Sequence, residues 1–172
     1  YEMYKTDPIL KEKNQFIADV YMKLTGQITG RKIVLSFVAN QILEGIYFHA
    51  GFAAMYALGK SGKMLGSSQM IKFVNRDEAT HLALFQHMIN STRQERPELF
   101  TAELEKEIRE MFRQAVELES KWGIYITNGQ ILGFTDAIIS QYIQHLADQR
   151  LKAIGYKPEY NVSNPIPWVD GY

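Results

Sequence analysis

The 172-residue sequence contains no cysteine, so it has neither disulfide bonds nor thiolate metal sites, and any bound metal must use oxygen and nitrogen ligands. It has no excess of either charge: 19 basic and 19 acidic residues give a formal net charge of zero. Neither nucleic acid nor an anionic membrane is therefore predicted as a partner. We also expect no membrane-spanning segment, because no run is long and apolar enough. The chain begins at Tyr1 without Met and without a signal-like segment, which predicts an interior start.

Helical periodicity runs nearly throughout the sequence, and strand-like alternation of apolar and polar residues is absent. Asp7 and Pro8 form a good helix start, with Asp as the cap and Pro in the first turn. Five helices are predicted, at residues 8–24, 31–58, 67 or 68–90, 97–125 and 134–154. The proline-containing residues 163–168 are predicted to pack as an extended strap. The sequence thus predicts one all-α segment spanning residues 1–172.

The most informative motif is Glu78-Ala79-Thr80-His81, inside the third predicted helix. Glu78 and His81 lie three residues apart, so both side chains project from one helix face and can hold one metal ion. In dinuclear carboxylate bundles, two helices each provide one Glu and two others each provide a Glu-x-x-His pair. Glu44 supplies a further acid one helix upstream, and the sequence has no second Glu-x-x-His. The chain therefore contains half of such a site.

Counting along the second and third helices places the two acids at the same height. The connection is short, which predicts antiparallel neighbours. Glu44 lies 17 residues before Ser61, at the centre of the turn, and Glu78 lies 17 residues after it. Because the rise per residue is about 1.5 Å on both helices, the two carboxylates should meet.

Apolar side chains surround both acids. Phe48 and Phe52 follow Glu44 at i+4 and i+8, and Val74 and Phe85 lie on the same face of the third helix as the Glu-x-x-His motif. A lone buried carboxylate is costly, and a metal ion removes that cost by supplying positive charge. These stripes favour a metal site shielded from water.

A second interpretation stays open at this point. A Glu-x-x-His motif also occurs by chance on solvated helices, and Glu44 could be a core acid paired with Arg or Lys. The matched heights and the apolar stripes favour the metal site. His49, His87 and His145 have no such support and are interpreted as ordinary histidines.

Three segments resemble the radical-carrying small subunit of class I ribonucleotide reductase, over its second half: EGIYFHAGF at 44–52, IKFVNRDEATH at 71–81 and SNPIPW at 163–168. They occur in the order found in that family, and the resemblance covers essentially the whole chain. It implies a ferritin-like helical bundle, of which this chain is the C-terminal half, and it is closer to the class Ia branch than to the manganese-using Ib branch.

Carried over by position, the resemblance implies roles for seven residues. The ligands of the second metal of a dinuclear centre would be Glu44, Glu78 and His81. The apolar pocket beside the radical tyrosine would be formed by Phe48, Phe52 and Val74, the last of which is commonly Ile in the family. Asp77 would lie on the hydrogen-bonded path that carries an electron and a proton towards the large subunit.

The same resemblance implies a function that this chain cannot perform alone. The complete centre activates O₂ to form a radical used to reduce ribonucleotides to deoxyribonucleotides. Its metals would be Fe/Fe in the first instance, with Mn/Fe and Mn/Mn as alternatives. The family's other ligands and its radical tyrosine lie on earlier helices and have no counterpart in this sequence.

The implied partners are a polypeptide carrying the N-terminal half, the large catalytic subunit and a second small subunit in a homodimer, all cytoplasmic. Two alternatives remain: another di-iron carboxylate oxygenase or desaturase, and a non-enzymatic ferritin-like iron-binding or structural bundle.

Overall fold

Every regular element of the described structure is helical. A computed structural model describes residues 2–171, apart from the side chain of Leu24. The elements in order are α1 (Met3–Thr6), α2 (Pro8–Leu24), α3 (Gly30–Gly45), α4 (His49–Lys60), α5 (Leu65–Glu95), α6 (Ala102–Thr127) and α7 (Asp136–Ala153), with 3₁₀ turns at Pro97–Leu99 and Pro167–Gly171. The all-α prediction is confirmed, although the described residues contain seven α-helices rather than five.

The predicted second helix, 31–58, is interrupted. The carbonyl of Ile42 accepts hydrogen bonds from the N–H groups of both Ile46 (3.0 Å) and Tyr47 (3.2 Å), and the His49 N–H donates to the Ile46 carbonyl at 3.1 Å. These bonds replace the regular helical pattern over residues 46–48 and divide the segment into α3 and α4. The prediction of one continuous helix was therefore wrong.

Capping side chains explain where the other helices begin. The Asp7 carboxylate accepts from the N–H groups of Ile9 and Leu10 at 3.0 and 2.9 Å, which confirms the predicted start of α2. Pro97, the predicted start of the fourth helix, begins only a 3₁₀ turn. The α6 helix starts after Thr101, whose hydroxyl accepts from the Leu104 N–H.

The C-terminal strap is also partly helical. Residues 163–166 follow an irregular path as predicted, whereas Pro167–Gly171 forms a 3₁₀ turn with Pro in its first position. The prediction that the tail has no helix was wrong for this turn. Ile166 and Val169 are buried and anchor the strap to the core.

The core surrounds α3, whose side chains at Val34, Val38, Ala39 and Ile42 are completely buried. The segment Gly30–Lys60 is long and apolar enough to cross a membrane by length and composition, so the expectation that no run reaches this threshold was wrong. Most of its apolar part is buried inside the fold, however, and helices at the centre of a folded core meet the same criterion.

Candidate metal centre

Helices α3 and α5 bring the three predicted ligands together. The Tyr56 hydroxyl contacts the Ile71 carbonyl, whereas Gly45, eleven residues earlier, faces Leu82, eleven residues later. Residues earlier in the α3–α4 segment therefore contact residues later in α5. The two run antiparallel, as the short connection predicted. Ligand atoms of Glu44, Glu78 and His81 all lie within 4.8 Å of one another.

The three side chains of the cluster lie close together but differ in how far they are exposed to solvent. His81 Nδ1 lies 3.0 Å from Glu78 Oε2 and 3.9 Å from Glu44 Oε2. The two carboxylates are largely buried, with 16% of the Glu44 side chain and 19% of the Glu78 side chain exposed, while His81 is 57% exposed. The cluster thus lies at the edge of the described fold, with its histidine facing outward.

The electrostatics of the cluster favour a bound cation. Burial, then the hydrogen bond and the charge of Glu78, together raise the pKa of Glu44 to about 7, while His81 opposes the rise. In the metal-free protein the negative charge of Glu78 therefore disfavours the ionised form of Glu44. Two carboxylate oxygens and one imidazole nitrogen are a donor set that suits Fe or Mn. These residues fit half of a dinuclear centre.

Comparisons with known proteins agree with this arrangement. The family model described as "Ribonucleotide reductase, small chain" matches residues 1–165. This chain belongs to that family. The resemblance seen in the sequence is thereby confirmed.

The relatives place the chain within the family in more detail. It is 37% identical over 173 residues to the ribonucleoside-diphosphate reductase subunit beta of Treponema pallidum (strain Nichols), covering 98% of this chain and 49% of the relative. The ribonucleotide reductase R2 subunit from Clostridium botulinum has a similar structure, with a TM-score of 0.93 at 44% identity over 99% of this chain and 55% of that one. The ferritin-like bundle is thereby confirmed. The chain spans about half the length of the relatives it matches.

A more distant neighbour shows the fold alone. The Streptococcus sanguinis protein dimanganese(II)-NrdF superimposes with a TM-score of 0.79 over 99% of this chain and 57% of that one, at 21% identity. The helical arrangement is thus shared at low sequence identity.

Two of the three predicted pocket residues pack against each other. The rings of Phe48 and Phe52 stack with centroids 6.0 Å apart, and both line an apolar cavity of about 410 Å³. Phe52 is buried, whereas Phe48 is 38% exposed. Val74 is 40% exposed on α5 and does not line this cavity. The structure therefore brings Phe48 and Phe52 together and leaves Val74 exposed on the surface of α5.

Asp77 is exposed on α5 and pairs with its neighbour in the chain. Its carboxylate accepts two hydrogen bonds from Arg76, from Nη2 at 2.9 Å and Nε at 3.1 Å. His81 lies four residues after Asp77, on the same side of α5, but its Nδ1 lies against Glu78.

His49, interpreted as an ordinary histidine, is buried close to the cluster. It lines a cavity of about 270 Å³ together with Glu44 and Arg150. Burial and, after it, the charge of Arg150 together lower the pKa of His49 to about 3. The interpretation of His49 as an ordinary histidine stays a prediction.

Sequence reasoning missed a buried ion pair near the centre. Lys13 Nζ lies 2.5 Å from Glu119 Oε2, with 8% and 0% of the two side chains exposed. A signal was present in the sequence: Glu119 follows Phe112 and Ala115 at i+7 and i+4, on the apolar stripe of α6. An acid in such a stripe requires a buried partner.

Proposed function

We propose that this chain supplies half of the ligands of the dinuclear metal centre in a class I ribonucleotide reductase small subunit. Glu44, Glu78 and His81 would bind one metal, and either carboxylate could bridge to the second. The observation that carries this proposal is the convergence of these three side chains from two helices within 4.8 Å. Membership of the small-chain family supports the same assignment.

When bound, the dinuclear centre, with Fe/Fe preferred over Mn/Fe and Mn/Mn, would activate O₂ to form a tyrosyl radical used for the reduction of ribonucleotides to deoxyribonucleotides. The residues of this chain would prepare the site for that chemistry. Glu44 would give up its proton when a cation binds, because the cation would take over the neutralising role. Phe48 and Phe52, joined by Val74 once the open face is covered, would exclude water from the radical pocket. Asp77 would hold a proton on the outward path, paired with Arg76.

The remaining ligands and the radical tyrosine would come from a polypeptide carrying the N-terminal half of the small subunit. Exposed apolar side chains support this, since Phe73 and Val74 on α5 are 46% and 40% exposed and Phe48 is 38% exposed. Apolar surface of this kind marks an interface. By analogy with the family, the complete subunit would pair as a homodimer, bind the large catalytic subunit and act in the cytoplasm, without a nucleic-acid or membrane partner.

The test is to compare residues 1–172 alone with the same chain joined by the N-terminal half. We expect two metals per complete unit, an organic radical signal after exposure to O₂, and nucleotide reduction when the large subunit is added. The isolated chain should give neither radical nor reduction. Two metals and a radical in the isolated chain would contradict the proposal. Metal and O₂ consumption without binding to the large subunit would favour an oxygenase or desaturase, and metal without O₂ chemistry would favour iron binding alone.

A further inference from the structure

The interruption between α3 and α4 is held by two charged side chains from other helices. The Tyr47 carbonyl accepts a hydrogen bond from Lys13 Nζ of α2 at 2.6 Å. The Ala50 N–H donates to Glu119 Oε1 of α6 at 3.0 Å. In an uninterrupted helix Ala50 would donate to the Ile46 carbonyl, which accepts from His49 here. The interruption thus exposes backbone groups that side chains satisfy.

The two side chains act as one unit. Lys13 and Glu119 are paired with each other at 2.5 Å and both are buried. The ammonium group of Lys13 also lies over the rings of Tyr47 and Trp122, 4.9 and 5.6 Å from their centroids. The pair therefore ties α2 and α6 to the same three-residue turn.

The interruption is closely packed against α6 on one side and against α5, which bears two of the proposed ligands, on the other. A Cβ atom added to Gly123, one turn after Glu119, would lie 2.8 Å from the Ala50 Cβ, so the first turn of α4 presses against α6. A Cβ atom added to Gly45 would lie 2.9 Å from Leu82 Cδ1. Gly45 follows Glu44 directly, and Leu82 follows His81. The interruption is therefore in close contact with the residues that adjoin two of the proposed ligands.

We propose that Lys13 and Glu119 are a positioning pair that holds this interruption and thereby sets where Glu44 and Phe48 enter the metal site. The inference rests on the proposed metal-binding function. Neither side chain touches the cluster, so the pair acts through the backbone of residues 45–50. Partners outside the ligand set that orient a ligand typically change metal affinity by about 10- to 100-fold when they are lost.

The test uses the metal-free complete small subunit and the double variant Lys13→Met/Glu119→Gln. The double variant removes both charges, so no unpaired charge remains buried. The matched control is Arg109→Met/Glu159→Gln, which removes a partly buried pair between α6 and the segment that follows α7. In that pair Arg109 Nη1 likewise contacts both a carboxylate (2.9 Å) and a backbone carbonyl, that of Lys157 (3.3 Å). Mn²⁺ binding followed by electron paramagnetic resonance and the visible spectrum of bound Co²⁺ are the two metal readouts.

We expect the Lys13/Glu119 variant to bind Mn²⁺ about tenfold more weakly and to show an altered Co²⁺ spectrum. The Arg109/Glu159 control should match the wild type in both. Hydrogen exchange of the backbone amides at 46–50 should quicken only in the Lys13/Glu119 variant. A folded double variant with wild-type affinity, spectrum and exchange would overturn the proposal.

Hydrogen exchange also separates this inference from the proposed function. If the wild type and Glu44→Ala bind Mn²⁺ equally, the metal-site assignment fails, and with it the link from the pair to a metal. Unchanged hydrogen exchange at 46–50 in the Lys13/Glu119 variant would instead show that the pair does not hold the turn, whatever its Mn²⁺ affinity.

Discussion

Two carboxylates in this protein have similarly raised pKa values but opposite surroundings. Burial is the main reason that the pKa of Glu44 and that of Glu119 both rise to about 7. Beside Glu44 stands another carboxylate, Glu78, which raises the pKa further. Beside Glu119 stand the Lys13 ammonium and the Ala50 N–H, which both lower it. The two sites therefore differ in what neutralises a buried charge.

The difference distinguishes a binding site from a structural contact. Glu119 has its compensation inside the chain, and its carboxylate is completely buried. Glu44 and Glu78 face each other at an edge of the fold, where His81 is more than half exposed. Folding alone leaves their repulsion in place, and a cation would relieve it. A metal site requires a cluster of this kind, in which the repulsion is relieved only when a cation binds.

The largest expected effect is on stability, at the internally compensated site. Glu119→Ala leaves the Lys13 ammonium buried without its partner, which typically costs about 3–5 kcal/mol of unfolding free energy. Glu117→Ala is the control, because it makes the same chemical change at an exposed position of the same helix. That control should change stability by no more than about 0.5 kcal/mol. Chemical denaturation measures both, and equal losses would remove the contrast between the two sites.

At the metal cluster the effect should appear in binding rather than in folding. Glu44→Ala removes a proposed ligand, so Mn²⁺ affinity should fall at least about 100-fold, equivalent to about 2.8 kcal/mol. The metal-free variant should keep its stability within about 1 kcal/mol, because it also loses the repulsion from Glu78. Glu95→Ala, at the exposed end of α5, should leave binding unchanged. A variant that is strongly destabilised without metal would show that Glu44 is structural.

The next comparison uses Asp77 to separate metal binding from radical transfer. Asp77→Asn keeps an oxygen that can accept from Arg76 but loses the negative charge, and Asp77 is not one of the three converging ligand residues. Metal content should stay near that of the wild type, while nucleotide reduction by the complete enzyme should fall at least about tenfold, or about 1.4 kcal/mol. Metal analysis and turnover are measured on the same preparation. Equal loss of both would identify Asp77 as a ligand or a structural residue.

Local counting was enough to predict the half-site. The equal spacing of Glu44 and Glu78 from Ser61 depends only on helix rise and a short turn, and these are local properties of the chain. The structure places the two acids and His81 together as that count predicted. Whether they bind metal is a separate question, which the variants above address.

The interruption of the second helix could not be predicted in the same way. No proline marks residues 46–48. The groups that satisfy the freed backbone are distant in sequence, with Lys13 34 residues from Tyr47 and Glu119 69 residues from Ala50. At Pro97 a strong local signal predicted a helix start too early in the chain. Pro97 begins only a 3₁₀ turn, and the cap at Thr101 decides where α6 starts. Tertiary contacts override local preference at both points.

The smallest expected effect is a pair of pKa changes with opposite signs. Glu78→Gln removes a like charge, so the pKa of Glu44 should fall from about 7 towards 4.5 without reaching it, because burial remains. Lys13→Met removes an opposite charge, so the pKa of Glu119 should rise above its present value of about 7. Solvent screens the Glu44 cluster, so we expect that change to amount to less than about 1.4 kcal/mol, the equivalent of one pH unit. Carboxyl ¹³C shifts in the metal-free protein measure both values.

The same values fix the sign of a stability change with pH. Both folded-state pKa values lie above the ordinary 4.5, so the folded protein holds these two protons more tightly than the unfolded chain does. Each group therefore stabilises the metal-free protein fully below about pH 4.5, and this contribution is lost as the pH rises to about 7. Glu78→Gln should flatten the part due to Glu44, whereas Lys13→Met should steepen the part due to Glu119 and extend it above pH 7. Movement of both pKa values in the same direction would mean that the neighbouring charges do not distinguish the two sites.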